Sequence, residues 1–230
     1  MSSRSSPSPK VPPGAAKQTL TAAAAVLVTL ISVAWIWWTE FAAPAANDAP
    51  LNEAVGRVLA EQTARIVGRT GSIVLVLMET RHAPELQVQV DSFQKNLKLL
   101  GAIAIQDRVV LDPGNNPKYR PGSGLSAKRF LKIVRKHPGV DAIVSLIGAP
   151  RMSDAQLAEL KPVPRLIAET HSPERLVNLF DRKILVAAVV PRFEFPAPGP
   201  KKPRTDQQWF DRYYQLLGPG SAIPKPDRNP

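Results

Sequence analysis

The 230-residue chain contains no cysteine. This absence excludes disulfide bonds, thiolate zinc sites, iron–sulfur clusters and thiol nucleophiles. Acidic residues are the minority charge, with 19 Asp and Glu against 30 Lys and Arg and a formal net charge of +11. The 24 prolines are clustered, which predicts flexible segments around one good-sized domain, since the length does not allow three.

The sequence also lacks the common motifs of phosphate binding and nucleophilic catalysis. Residues 78–81 (METR) follow the first predicted strand, where a dinucleotide-binding protein would have a glycine-rich turn. Neither a P-loop nor a GxSxG motif is present. The three histidines, His82, His137 and His171, are scattered without metal-ligand spacing. We therefore predict no metal, no cofactor and no enzymatic activity.

One segment has the length and composition of a transmembrane helix. Residues 19–38 carry no charge, and a helix of this length spans about 30 Å, the thickness of the hydrocarbon core. Trp35, Trp37 and Trp38 lie at its far end, and indole rings favour the headgroup region. Small residues at 43–45 leave a cleavable signal peptide open as the alternative.

The charges on either side of this segment predict its orientation. Residues 1–18 form a predicted disordered tail with Arg4, Lys10 and Lys17 and no acid. The positive-inside rule then places the N-terminus in the cytoplasm and the main domain in the periplasm or outside the cell. We expect a single pass through the inner membrane of a bacterium. This topology keeps the domain away from nucleic acid, so no nucleic-acid partner is predicted.

Five apolar runs alternate with helical patterns in the middle of the chain. The runs cover residues 72–78, 102–111, 141–147, 165–168 and 184–190. Continuous apolar strands are typical of a sheet covered on both faces, and right-handed crossovers place the intervening helices there. The pattern predicts a three-layer α/β sandwich with a five-stranded, mainly parallel sheet. The flavodoxin-like strand order 2-1-3-4-5 is the default for this count.

The remaining segments complete the predicted domain organisation. Residues 39–50 are a linker, and residues 51–192 are the α/β domain, whose leading helix covers residues 51–67. Residues 193–208 form a proline-rich basic linker. Residues 209–230 are an aromatic segment followed by coil, in which WFDRYYQLL predicts a short amphipathic helix. This helix either folds back on the domain or docks a partner.

Part of this pattern resembles a known family. SIVLVLMETRHAPELQVQVDSFQKNLKLLGAIAIQDRVVLDPGNNP resembles the opening of type I periplasmic sugar-binding proteins, and VDAIVSLIGAP followed by PRLIAETHS is similar to that family's next two strands. The resemblance covers residues 72–192, about one lobe of a two-lobed family. It implies an α/β lobe that binds a small solute, although the family holds its ligand between two lobes.

Polar residues follow each predicted strand. In open α/β sheets, ligands bind beyond the carboxyl ends of the strands, so these residues are candidates for binding a small molecule. They equally suit strand ends that only face water. The candidates are Glu79, Arg81, His82, Asp112, Arg151, Glu169, His171 and Arg192.

A second set of residues suits contact with a protein or lipid partner. Between Asp112 and Asp141 the sequence has no acid, and the helix predicted over residues 126–136 carries a basic face. Such a face contacts anionic lipid or an acidic partner, or is only solvated. The candidates are Trp35, Trp37, Trp38, Lys128, Arg129, Lys132, Arg135, Lys136, Trp209, Phe210, Tyr213 and Tyr214.

These features predict a membrane-anchored extracytoplasmic protein that binds or scaffolds. A small lone domain on one anchor suits an accessory subunit of a complex of integral membrane proteins. The alternative is a solute-binding or sensing domain that uses the strand-end residues.

Overall fold

The structure is a computed structural model that describes residues 26–33, 44–79, 84–111, 124–160, 165–173, 176–192 and 203–223. The chain forms two compact units, Met1–Asn47 and Asp48–Pro230.

In the first unit, residues 26–33 are helical (α1), and their large apolar side chains are exposed. They lie within the predicted membrane segment 19–38. In the described part of the chain, no helix is both long enough and apolar enough to span a bilayer. Trp35, Trp37 and Trp38 lie outside the described residues, so the membrane segment stays a prediction.

The second unit alternates strands and helices along the chain. The helices are α2 (Pro44–Val67, which begins in the first unit), α3 (Pro84–Leu100), α4 (Ala127–Lys136), α5 (Asp154–Ala158), α6 (Val177–Asp181) and α7 (Asp206–Tyr213). The strands are β1 (Thr70–Met78), β2 (Ala102–Leu111), β3 (Ala142–Ser145), β4 (Arg165–Glu169), β5 (Leu185–Pro191) and β6 (Tyr214–Leu217).

The described strands form one six-stranded sheet in the order β2-β1-β3-β4-β5-β6. The first five pair in parallel, and β6 pairs antiparallel to β5. The α/β fold is as predicted, and the first five strands have the default flavodoxin-like order, but the count of five strands is wrong. Residues 214–217 were expected to be helical, whereas they form the sixth strand. The edge of β5 provides backbone hydrogen-bond partners for residues 214–217. A sequence pattern does not reveal such partners.

Both faces of the sheet are buried along β1, β3, β4 and β5, as a parallel sheet requires. Along β1, Ile73 and Leu75 belong to one core cluster, while Val74 and Val76 belong to the other. Helices α2, α3 and α7 contribute to the first cluster, and α4, α5 and α6 contribute to the second. The unit therefore has two hydrophobic cores separated by the sheet.

Two helix starts show how local sequence positions these layers. Ser126 caps α4 by accepting a hydrogen bond from the backbone N–H of Arg129. Ser153 and Gln156 form a reciprocal capping box at the start of α5. Helix α2 differs from the prediction, because it begins at Pro44 rather than at residue 51 and includes Pro50. It therefore occupies part of the predicted linker.

Helix α2 packs closely on α3 because residue 56 is glycine. A Cβ atom at Gly56 would lie 2.9 Å from the backbone nitrogen of Phe93, and closer still to the carbonyl oxygen of Gln89. Both contacts are with backbone atoms, which cannot move as a side-chain end can. The absence of a side chain at Gly56 therefore sets the spacing between the two helices.

We expect Gly56→Ala to lower the free energy of unfolding by about 1–3 kcal/mol, because the added methyl group overpacks the α2–α3 contact. Urea denaturation measures this change. Gly218→Ala is the control, because nothing lies within 4 Å of its Cβ position, and its effect should stay within about 1 kcal/mol. Equal effects of the two substitutions would contradict the close-packing account.

Candidate functional site

A cavity of about 240 Å³ lies at the carboxyl edge of the sheet. Its position matches the point where the strand order reverses, between β1 and β3, which is where open α/β sheets bind ligands. Residues from α2, α3, β1, β4, β6 and the segments that follow β3 and β4 contribute to its wall. These residues are Asn52, Met78, Glu85, Leu86, Gln89, Leu146, Ile147, Gly148, Glu169, Thr170, His171 and Tyr214.

The deepest polar contact of this cavity joins β4 to α3. Glu169 is the last residue of β4, and its relative exposure is only 7%. Its Oε2 atom accepts a hydrogen bond from the side-chain amide of Gln89, which is 1% exposed. A buried carboxyl group thus has an amide, rather than a cation, as its hydrogen-bond partner.

This environment shifts the protonation of Glu169 toward neutral pH. Burial disfavours the charged form and raises the pKa of the carboxyl group, while the hydrogen bond from Gln89 partly opposes the shift. The resulting pKa is about 7. Near neutral pH the group therefore exists in both its protonated and its ionised form, and it can donate or accept a hydrogen bond at the cavity wall.

The residues that follow Glu169 continue the cavity wall. Thr170 is buried, and its backbone N–H donates to the carbonyl of Val189 at 2.9 Å. His171 is exposed at the rim, yet partial burial of its ring lowers the pKa of the imidazole. A lowered pKa keeps His171 neutral at pH 7.

A tight turn after β3 forms the adjoining wall. Gly148 has a φ of +112°, and a Cβ atom there would lie 2.8 Å from the Cα atom of Gly124. The Ser145 hydroxyl donates to the carbonyl of Gly148 at 2.7 Å and is buried. This hydroxyl therefore stabilises the turn, and the turn fixes how closely the loop at residue 124 approaches.

The described strand-end candidates lie in several different parts of the structure. Glu169 and His171 both line the cavity. The backbone N–H of Glu79 donates to the Leu111 carbonyl at 3.0 Å, and Arg151 lines a separate open groove of about 620 Å³. The Nε atom of Arg192 donates to the carbonyl of Tyr214 at 3.0 Å. Arg81, His82 and Asp112 lie outside the described residues.

The basic face of α4 is partly neutralised within the chain. Lys136 pairs with Asp107 at 2.8 Å, and Arg135 approaches Glu159 at 3.7 Å. The hydrogen bond from Lys136 lowers the pKa of Asp107. The remaining basic residues of the helix are Lys128 and Lys132, which are exposed, and Arg129, which is half-buried.

The aromatic segment folds back on the domain, which was one of the two predicted alternatives. Phe210 is buried in the first core cluster, with Trp209 and Tyr214 packed against that cluster. Trp209 also stacks on Tyr213 with ring centroids 5.8 Å apart. The side chain of Phe210 is therefore occupied within this chain, and Tyr214 lines the cavity.

Several cavity residues were not predicted, and Gln89 is the most informative of them. Gln89 lies among Leu86, Val90 and Phe93, which were expected to form the buried stripe of α3. A polar residue at a buried helical position needs a buried partner, and this rule is the signal that could have identified it. Asn52, Glu85 and Thr170 carry no comparable signal in the sequence.

The structure also bears on metal binding. Among the described residues, no group of three or more His, Asp or Glu side chains could hold a metal ion.

No protein-family model and no curated protein matches the sequence. Solved structures that resemble the chain include a solute-binding protein of an ABC transporter from Burkholderia graminis in complex with D-arabinose. Its TM-score is 0.45 at 16% identity, with 60% of this chain and 47% of that chain covered. An arabinose-binding protein from Geobacillus stearothermophilus has a TM-score of 0.43 at 14% identity, covering 60% of this chain and 45% of that one.

A third similar structure is a solute-binding protein from Clostridium phytofermentas with bound L-rhamnose. Its TM-score is 0.46 at 13% identity, with 60% of this chain and 43% of that chain covered. The chain spans about half the length of these structures. They are solute-binding or sugar-binding proteins, the class that residues 72–192 were expected to resemble in part.

We expect Glu169→Gln to stabilise the protein at pH 8 relative to wild type. The pKa of Glu169 is raised from 4.5 to about 7, so its contribution to stability is full below about pH 4.5 and is lost as the pH rises through 7. The uncharged amide of the glutamine in the variant does not ionise, so the variant avoids this loss of stability. The gain at pH 8 should approach about 3 kcal/mol, and it should vanish near pH 4.5.

Denaturant unfolding at several pH values measures this difference between the variant and wild type. Glu159→Gln is the control, because the Glu159 side chain is 57% exposed, and the control should give a flat difference across the range. A flat difference for Glu169→Gln as well would contradict the raised pKa.

Proposed function

We propose that the unit of residues 48–230 is a binding or sensing domain that takes a small polar solute into the cavity at the carboxyl edge of the sheet. The observation that carries this proposal is the buried carboxyl group of Glu169, hydrogen-bonded to Gln89 in the cavity wall. Burial of a polar pair in a core costs free energy. A binding site is a function that accounts for this cost.

The size and lining of the cavity support a small solute. Its volume of about 240 Å³ equals the space of roughly eight water molecules in the liquid. The wall combines apolar side chains, such as Met78, Leu86 and Leu146, with seven polar ones. Ligand sites commonly have this composition, in which apolar surface provides affinity and the polar groups fix orientation.

The cellular setting of the proposal rests on the sequence. Residues 19–38 would anchor the chain by a single pass, and the charges before this segment would place the domain on the extracytoplasmic side. In this arrangement, a solute outside the cytoplasm reaches the cavity without crossing the membrane. The proposed role is binding rather than catalysis.

A second candidate function is that of an accessory subunit of a membrane complex. The observation that favours it is the pair Lys128 and Lys132, which are exposed on α4 and make no ion pair with another described residue. Exposed cations on one helix face suit contact with anionic headgroups or with an acidic surface of an integral membrane protein.

The solute-binding proposal is tested by thermal unfolding of the full-length chain, in mild detergent, against a panel of small polar solutes. A solute present at 100 times its Kd should stabilise the folded state by about 2.7 kcal/mol. Leu86→Trp should abolish this gain, because Leu86 lines the cavity and the larger side chain would fill it.

Leu99→Trp is the matched control on the same helix, because Leu99 is 77% exposed, and this variant should respond as wild type does. The proposal fails when no solute stabilises wild type, or when Leu86→Trp responds equally. Extraction of the native protein within a defined larger complex would then favour the accessory-subunit function.

A further inference from the structure

The described charged side chains of the cavity wall are acidic, although the chain as a whole is basic. The protein has 30 Lys and Arg against 19 Asp and Glu, yet the described residues that line the cavity include Glu85 and Glu169 and no Lys or Arg. A random sample of this chain's charged side chains would be mainly basic. The described charged side chains of this cavity wall are therefore both acidic.

The buried position of Glu169 favours a positively charged ligand. Its carboxyl group is buried, and its pKa is affected by burial and by Gln89 alone, so no positively charged neighbour compensates it among the described residues. An ionised carboxyl group in such a place is costly unless an opposite charge is brought beside it. A cationic solute supplies that charge, whereas an anionic one would add repulsion.

The other described polar groups that line the cavity also suit a positively charged ligand. Glu85 lies in the first turn of α3, at the exposed rim. Asn52 of α2 and Tyr214 of β6 are uncharged polar side chains of the wall. His171 follows β4 and is neutral at pH 7 because burial lowers its pKa. The wall therefore presents one carboxylate at the rim and one titratable carboxyl group inside.

Building on the proposed function, we propose that the solute is a small organic cation, with an ammonium group that binds beside the buried carboxyl group of Glu169 while Gln89, Asn52 and Thr170 bind its neutral polar atoms. This assignment names the chemical class of the ligand. It excludes small anions such as carboxylates and phosphates as the preferred occupants of the cavity.

Competition between the proton and the cation at Glu169 makes the affinity for the cation depend on pH. The ammonium group pairs with the ionised carboxylate, so binding must displace the proton that Glu169 holds below about pH 7. Protonation of His171 at lower pH would oppose a cation as well. Affinity for the cation should therefore rise about tenfold between pH 6 and pH 8, because the ionised fraction of a group with a pKa near 7 rises by about that factor.

Three probes of equal chain length test the charge preference: 4-amino-1-butanol, 1,4-butanediol and 4-hydroxybutanoate. Their Kd values for the full-length chain are measured by calorimetric titration at pH 6 and pH 8. The amine has a pKa close to that of lysine and stays charged at both values. We expect the amino alcohol to bind at least tenfold more tightly than the diol at pH 8, and the hydroxy acid to bind most weakly.

Glu169→Gln should remove both the preference for the amine and its pH dependence. Glu159→Gln is the control and should keep both. The Glu159 side chain is 57% exposed and lies near Arg135. The inference is overturned when the diol or the hydroxy acid binds as tightly as the amino alcohol, or when the amino alcohol does not bind.

Failure of this test leaves the proposed function standing when other solutes still stabilise wild type and fail to stabilise Leu86→Trp. A cavity that prefers the diol would be a site for neutral polyols. A cavity that accepts no solute from the wider panel contradicts the proposed function itself.

Discussion

The hydrogen bond between Gln89 and Glu169 is the contact on which the site depends. It joins the N-terminal half of α3 to the carboxyl end of β4. The close approach of α2 at Gly56 fixes α3 from its other side, at the carbonyl of Gln89 itself. Packing therefore holds a carboxyl group where water is scarce, and this scarcity raises its pKa to about 7.

The elements whose signals are local could be predicted from the sequence. Strand β1 is a continuous apolar run because both of its faces are buried, and Ser126 and Ser153 begin their helices with their own side chains. Strand β6 has no such signal, since Leu217 is its one buried residue and its pairing with β5 depends on the fold. The early start of α2 at Pro44 likewise lies in a segment without apolar periodicity.

The site was predictable in part for the same reason. Parallel strands end at one edge of the sheet, so Glu169 and His171, at the end of β4, could be expected at that edge from strand positions alone. Gln89 and Tyr214 reach the cavity from a helix and from the last strand, and their approach depends on tertiary packing. Arg192 was expected at the site for its position, but its guanidinium group and backbone N–H hold β6 through the carbonyls of Tyr214 and Tyr213.

A ¹³C NMR titration of the glutamate and aspartate carboxyl carbons tests the central claim most directly, because it observes the protonation of Glu169 without a ligand. The account predicts one resonance with a midpoint near pH 7 that is missing from Glu169→Gln and that titrates at lower pH once a cation occupies the cavity. Titration of every carboxyl group of the protein below about pH 5, near the ordinary values, would contradict it.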